Sequence, residues 1–96
     1  MWKDKKFLVA GAGKSGIGSA NLLLKSGAQV SLYDGNKEVD PQSVFQKLYE
    51  NTEIPLILGE FTEENAENFD LLVLSPGISV NAEISQIFKN QGKPVW

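Results

Sequence analysis

The sequence predicts an α/β fold: a Rossmann-like, three-layer αβα domain with a five-stranded parallel sheet in the strand order 3-2-1-4-5. Two observations predict it. Short apolar runs alternate along the chain with segments in which apolar residues recur at helical spacing. A glycine-rich turn at residues 11–16 follows the first apolar run and precedes the first helical segment. Such alternation implies right-handed crossovers and a parallel sheet covered on both faces.

Five apolar runs form the expected strands, at residues 7–10, 30–34, 55–58, 71–74 and 94–96. A continuous apolar run such as residues 7–10 is typical of a strand that is buried on both faces. The fifth run is Pro94-Val95-Trp96, and the sequence ends there without a polar tail. We therefore expect residues 1–96 to be a single domain and a fragment of a longer protein.

Four segments with helical spacing form the expected helices. In the first, Ile17, Ala20 and Leu24 share one face, and Leu22 and Leu23 widen it. Side-chain acceptors favour helix starts, proline favours the first helical position, and glycine favours helix ends. The residues expected at these boundaries are Asp40 with Pro41, Thr62 and Asn81 at the starts, and Gly27 and Gly92 at the ends.

The second helix is expected to extend to about Asn51 and the third through Asn68. Aromatic residues at helical spacing are most simply core residues. The aromatic residues expected in the core are Phe45, Tyr49 and Phe88.

Composition excludes several classes of protein. The chain has no Cys and no His, which excludes disulfide frameworks, zinc fingers, thiol nucleophiles and histidine-dependent triads. Nine basic against 12 acidic residues give a formal net charge of −3, which disfavours a nucleic-acid partner. No apolar run is long enough to span a membrane, and residues 7–10 are too short for a signal-peptide core. We expect a cytoplasmic protein without a membrane partner.

The glycine turn, Gly11-Ala12-Gly13-Lys14-Ser15-Gly16, matches the pattern G-x-G-x-x-G between a strand and a helix. In this pattern Gly11 allows the tight turn, Gly13 lets a phosphate approach the backbone, and Gly16 lets the helix pack closely on the strand. The helix start then offers free N–H groups to an anion. The turn is not an ATP-hydrolysing P-loop, because Leu8 stands where that pattern requires its first glycine.

Asp34 ends the second predicted strand, 18 residues after Gly16. A carboxylate at this position can accept hydrogen bonds from a ribose diol or a base, so the combined pattern favours nucleotide binding. The alternative is a tight turn without a ligand, in which Asp34 is a turn residue ahead of Gly35-Asn36. Lys14 either lends charge to a pyrophosphate or is a solvated surface lysine.

A second candidate segment, Ser75-Pro76-Gly77-Ile78, follows the fourth predicted strand. In the order 3-2-1-4-5 the sheet reverses direction between strands 1 and 4, so the loops after them form the ligand crevice. Gly77 would permit close backbone approach and Pro76 would stiffen the loop. The alternative is an ordinary Pro-Gly turn.

Acidic residues are concentrated between positions 60 and 70. Paired carboxylates can serve acid–base chemistry or bind a metal, but such a run is usually a solvated helix face. We expect the latter, and therefore neither a metal site nor a catalytic residue. The residues are Glu60, Glu63, Glu64, Glu67 and Asp70.

The chain resembles the N-terminal domain of the Mur ligases, most closely those that add D-glutamate. The resemblance covers nearly the whole chain. It rests on residues 9–17 around the glycine turn, on Asn21-Leu22-Leu23-Leu24, on Leu32-Tyr33-Asp34, on Leu74-Ser75-Pro76-Gly77-Ile78 and on residues 92–96.

This resemblance implies a role in peptidoglycan precursor synthesis. The family uses ATP and Mg²⁺ to activate a carboxylate as an acyl phosphate, which the amino group of D-glutamate attacks. The N-terminal domain holds the UDP part of UDP-MurNAc-L-alanine. Gly35 stands where the family often has a hydroxyl-bearing residue, so that contact falls to the backbone or to Asn36. The site residues implied are Lys14 and Ser15 for the pyrophosphate, Asp34, Gly35 and Asn36 for the uracil, and Ser75, Pro76 and Gly77 for the crevice wall.

The family's ATP-binding central domain and its C-terminal domain are absent from these 96 residues. The resemblance thus implies that this segment binds no cofactor and catalyses nothing alone, the other domains acting in cis. Two alternatives use the same glycines and Asp34: an NAD- or FAD-binding half-domain of an oxidoreductase, and a regulatory module that senses a nucleotide.

Overall fold

A computed structural model describes residues 4–76, 78 and 82–96. Within these ranges four strands form one parallel sheet in the order β3-β2-β1-β4. The strands are β1 (Lys6–Ala10), β2 (Gln29–Asp34), β3 (Leu56–Leu58) and β4 (Leu71–Leu74). The helices are α1 (Lys14–Lys25), α2 (Pro41–Lys47), α3 (Glu63–Ala66) and α4 (Glu83–Asn90), with a short 3₁₀ helix at Tyr49–Asn51.

The α/β class and the parallel sheet are confirmed. The prediction of a fifth strand is wrong for the described part of the chain. Val95 forms only an isolated parallel bridge with Leu72. Around that bridge the Leu72 N–H donates to the Pro94 carbonyl at 3.0 Å, and the Trp96 N–H donates to the Leu72 carbonyl at 2.8 Å. Pro94 has no N–H to donate, so at that position only its carbonyl can pair with β4. Within the described residues this pairing is an isolated bridge and not a strand of the sheet, and the order of the four strands is 3-2-1-4.

Both faces of the sheet are covered, because successive side chains of a strand point to opposite sides. All four apolar residues of β1 are buried. On one side the core includes Phe7, Val9, Ile17, Ala20, Leu23 and Val44, from β1, α1 and α2. On the other side it includes Leu8, Ala10, Phe61, Ile84, Ile87 and Phe88.

The expected helix boundaries hold where a side chain caps the backbone. The Asp40 side chain accepts from the Gln42 N–H at 3.2 Å, and Pro41 is the first residue of α2. Thr62 and Asn65 cap α3 reciprocally. Gly27 and Gly92 both have positive φ, at 83° and 72°. Helix α4 begins at Glu83 after Ala82; Asn81, the expected cap, lies outside the described residues.

Some expectations about helix length and core residues are wrong. Helix α2 ends at Lys47, and α3 ends at Ala66. Tyr49 is 39% exposed and Leu22 is 71% exposed. Leu22 points away from the sheet because α1 packs on it through Ile17, Ala20 and Leu23. Among the expected aromatic core residues, Phe88 is fully buried, and Phe45 is partly buried against the core.

Candidate functional site

The glycine turn joins β1 to α1 in a conformation that its glycines alone permit. Gly11 has φ +101°, a region that side-chain-bearing residues rarely adopt. A Cβ at Gly16 would lie 1.7 Å from the Gly11 carbonyl oxygen, so the start of α1 packs directly on the turn. The Gly11 N–H donates to the Tyr33 carbonyl at 2.6 Å, which ties the turn to β2. The roles expected for the first and third glycines are thus visible in the backbone.

The first turn of α1 leaves its backbone donors open. Gly13 is the N-cap and supplies no side-chain acceptor. The Ile17 N–H donates to the Gly13 carbonyl at 2.9 Å, but no described group accepts from the N–H groups of Lys14, Ser15 and Gly16. A Cβ at Gly13 would meet nothing within 4 Å. Because the first turn contains Lys14 and no acidic residue, it is suited to an anion.

Asp34 lies at the carboxyl end of β2 and holds the glycine turn in place. Its Oδ2 accepts from the Ala12 N–H at 2.9 Å, and its Oδ1 accepts from the Asn36 N–H at 2.9 Å. Its carbonyl accepts from the Gly59 N–H at 2.8 Å. Each carboxylate oxygen can accept more than one hydrogen bond, so Asp34 retains capacity for a ligand donor.

Ser75 connects the loop after β4 to the glycine turn. Its hydroxyl donates to the Ala10 carbonyl at 2.6 Å. A Cβ added at Gly11 would lie 2.7 Å from the Ser75 Oγ, so this side chain fills the space beneath the turn. The Ile78 N–H donates to the Ser75 carbonyl at 2.9 Å. The loop therefore faces the glycine turn across the reversal point of the sheet, as the strand order 3-2-1-4 requires.

These segments enclose a cavity of about 510 Å³ at the carboxyl edge of the sheet. It brings together nine of the eleven residues expected at the site. Asn36 does not line it, and its side-chain oxygen accepts from the Glu38 N–H at 2.9 Å; Gly77 lies outside the described residues. The lining residues are Gly11, Gly13, Lys14, Ser15, Gly16, Asp34, Gly35, Ser75, Pro76 and Ile78.

Two residues of the candidate segments were given no role from the sequence. Ile78 adds an apolar wall to the cavity, and the Ala12 N–H is the donor that binds Asp34. The position of Ile78, directly after the Ser-Pro-Gly loop, was a usable signal. The role of Ala12 lies in its backbone, which its side-chain type does not reveal.

A larger cavity, about 580 Å³, opens at the opposite edge of the sheet and is lined by Lys6, Gln29 and Pro55 among others. Leu24 and Ala28, at the carboxyl end of α1, also line it. The carboxyl end of a helix presents carbonyl groups and a partial negative charge. The smaller cavity, which faces the amino end of α1, is therefore the candidate anion site.

Tyr33 lies beside the site, and its environment raises the pKa of its hydroxyl. Burial raises the pKa of its hydroxyl above the ordinary value of 10.0, and the negative charges of Asp34 and Glu83 raise that pKa further. The protonated hydroxyl donates to the Gly59 carbonyl and so connects β2 to the end of β3. Tyr33 therefore acts as a neutral hydrogen-bond donor at neutral pH.

The acidic residues between positions 60 and 70 are exposed, as expected for a solvated surface. Across residues 4–76, 78 and 82–96 no group of three potential metal-binding side chains occurs. No helix in these ranges is long and apolar enough to cross a membrane.

Residues 5–96 match the family described as Mur ligase MurD-like, N-terminal domain. The chain is 47% identical over 94 residues to the UDP-N-acetylmuramoylalanine--D-glutamate ligase of Lachnospira eligens, covering 98% of this chain and 21% of that protein. It is 38% identical over 91 residues to the ligase of the same name from Lachnoclostridium phytofermentans, covering 95% and 20%. The chain thus spans about a fifth of the length of these relatives.

Solved structures share the fold. A pseudomurein peptide ligase type C from Methanothermus fervidus superposes with a TM-score of 0.74 at 22% identity, over 96% of this chain and 18% of that one. Shikimate dehydrogenase from Aquifex aeolicus superposes with a TM-score of 0.61 at 21% identity, over 98% and 42%. These two likenesses concern the fold alone. The family match, by contrast, covers nearly the whole chain, which therefore belongs to the MurD-like N-terminal domains of the Mur ligases.

Proposed function

We propose that this chain is the UDP-binding domain of an ATP-dependent ligase that joins D-glutamate to UDP-MurNAc-L-alanine in peptidoglycan precursor synthesis. One observation carries the proposal: the uncapped amino end of α1 faces a cavity whose rim carries Asp34. The names of the curated relatives support the choice of ligase and substrate. The cytoplasmic location expected from the sequence is part of this proposal.

Two regions of the cavity suit two different parts of the substrate, the diphosphate and the uracil. The diphosphate would accept hydrogen bonds from the N–H groups of Lys14, Ser15 and Gly16, and the Lys14 ammonium would add positive charge. The uracil would lie towards Asp34 and Gly35. Because the Asn36 N–H already donates to Asp34, the contact that a hydroxyl-bearing residue makes in many family members falls here to the Gly35 backbone.

In this scheme the chain binds and orients the substrate, while bond formation takes place elsewhere. ATP and Mg²⁺ would activate the substrate carboxylate, but the residues of this chain do not fit a site for ATP and Mg²⁺. Leu8 replaces the first glycine of a P-loop, and the described ranges contain no cluster of metal-binding side chains. The ATP, Mg²⁺ and D-glutamate sites therefore belong, in this proposal, to further domains of the same polypeptide.

Calorimetric titration of the full-length protein tests the proposal, with UDP-MurNAc-L-alanine, UDP and NAD as ligands. We expect both uridine ligands to bind and NAD to give no measurable heat. A parallel assay should show phosphate release from ATP only when D-glutamate and UDP-MurNAc-L-alanine are both present. Binding of NAD in preference to the uridine ligands would instead indicate an oxidoreductase half-domain and would refute the ligase assignment.

A further inference from the structure

A second surface of the domain is apolar and lies away from the UDP cavity. Leu22 of α1 is 71% exposed and Trp96 is 60% exposed. With four neighbours they surround a shallow depression of about 360 Å³. We call it the Leu22–Trp96 surface; it consists of Ser19, Leu22, Leu23, Ser26, Val73 and Trp96. None of these residues lines the UDP cavity.

The backbone of Trp96 is held in place beside β4. Its N–H donates to the Leu72 carbonyl at 2.8 Å, and its carbonyl accepts from the Leu74 N–H at 2.6 Å. This pairing sets Trp96 opposite Val73, on the face of the sheet that α1 covers. Because α1 packs mainly on β1 and β2, it leaves Val73 partly exposed between the helix and Trp96.

The composition of the surface defines the chemistry of its occupant. It joins two leucines, a valine and a tryptophan to two serines, and none of the six residues is charged. The Ser26 hydroxyl already donates to the Leu22 carbonyl at 3.0 Å. Exposed clusters of large apolar side chains are typical of interaction sites. An apolar polypeptide segment fits this surface better than a charged partner does.

We propose that the Leu22–Trp96 surface docks polypeptide that continues this same chain beyond Trp96. This inference rests on the proposed function, in which the 96 residues are one domain of a longer ligase. The curated relatives place about four-fifths of their length outside the matched region. A continuation would leave the sheet from Trp96, within the surface itself. Tethering gives such a segment an effective concentration of roughly millimolar, which favours it over a second copy of the chain.

Cysteine accessibility in the full-length protein tests this docking. The 96 residues contain no Cys, so Leu22→Cys introduces a single thiol into this region. Tyr49→Cys is the matched control, because Tyr49 is also a large exposed side chain but lies outside the surface. Alkylation by iodoacetamide is followed at each peptide by mass spectrometry, in native and in urea-unfolded protein. Ser19→Cys provides a second, nearly isosteric reporter within the surface.

Docking predicts that Leu22→Cys and Ser19→Cys react at least about tenfold more slowly in the native than in the unfolded protein. Tyr49→Cys should react at similar rates in both. Equal native reactivity of all three thiols would overturn the proposal. Protection that disappears on dilution would overturn it as well, because it would assign the surface to a second copy.

The result is separable from that of the ligand titration. Protection of Leu22→Cys in a protein that binds no uridine ligand would leave the docking intact and refute the proposed function. Uridine binding in a protein whose Leu22→Cys is unprotected would refute the docking alone.

Discussion

The Asp34 carboxylate accepts a hydrogen bond from the Ala12 N–H at 2.9 Å, across 22 positions of sequence. This bond links the end of β2 to the middle of the glycine turn. The second carboxylate oxygen accepts from the Asn36 N–H at 2.9 Å. Asp34 therefore shapes the cavity before any ligand is bound, besides being the residue proposed to meet the uracil.

Replacing Asp34→Asn should lower the free energy of unfolding by about 1–3 kcal/mol, because the amide NH₂ must face one of two backbone N–H donors. Urea denaturation measures this loss. Asp40→Asn is the control, since the Asp40 side chain accepts from the Gln42 N–H at the start of α2 and Asn caps helices about as well as Asp. Equal losses in the two variants would show that Asp34 does not stabilise the turn.

Replacing Gly13→Ser should affect stability and binding in opposite directions. The backbone at Gly13 is extended, with φ −77° and ψ −171°, so serine fits and its hydroxyl can cap α1. We expect a gain of a few tenths of a kcal/mol, roughly what Ser gains over Gly at a helix start. UDP should bind about tenfold more weakly, because the hydroxyl competes for the amides that the diphosphate needs.

Thermal unfolding and calorimetry of Gly18→Ser supply the comparison for Gly13→Ser. Gly18 is exposed within α1, and a Cβ there meets nothing within 4 Å. Its substitution should leave UDP affinity unchanged. Undiminished UDP binding by Gly13→Ser would argue against a diphosphate at the amino end of α1.

Alanine at Gly16 should destabilise the protein by roughly 3 kcal/mol or more, since its Cβ would overlap the Gly11 carbonyl oxygen and the backbone must move. Gly18→Ala, in the same helix, should instead stabilise it by up to about 1 kcal/mol because alanine favours the helix. Chemical denaturation of the pair tests the close approach of α1 to the turn, and similar values for both variants would contradict it.

Tyr33→Phe should lower stability at neutral pH by about 1 kcal/mol, because it removes the hydrogen bond to the Gly59 carbonyl. The pKa of Tyr33 is raised in the folded protein, so the folded state retains the hydroxyl proton more strongly than the unfolded state. This contribution is complete below pH 10 and is lost as pH rises through the raised pKa. Denaturation at a series of pH values should therefore show the difference between the two proteins shrinking above pH 10; a constant difference would contradict the shift.

Local signals made much of the fold predictable. The apolar run at residues 7–10, the glycines of the turn and the capping residues Asp40 and Thr62 each act within a few positions of the chain. The position of the loop at Ser75 also followed, because parallel order alone places it opposite the glycine turn.

Features that depend on tertiary contacts could not be predicted in this way. Leu22 has the residue type and spacing of a core residue, but the rotation of α1 on the sheet decides its exposure. The predicted fifth strand has suitable residues, but Pro94 offers no N–H to β4, and in the described residues the pairing is one isolated bridge. The bond between Asp34 and Ala12 depends on two segments that meet only in the folded chain.

The backbone amides of Lys14, Ser15 and Gly16 provide the most direct measurement, through NMR titration of ¹⁵N-labelled protein with UDP and, separately, with uridine. If the start of α1 binds the diphosphate, UDP should shift these three resonances and uridine should leave them in place. Binding of UDP without movement of these amides, or equal shifts with uridine, would contradict the account.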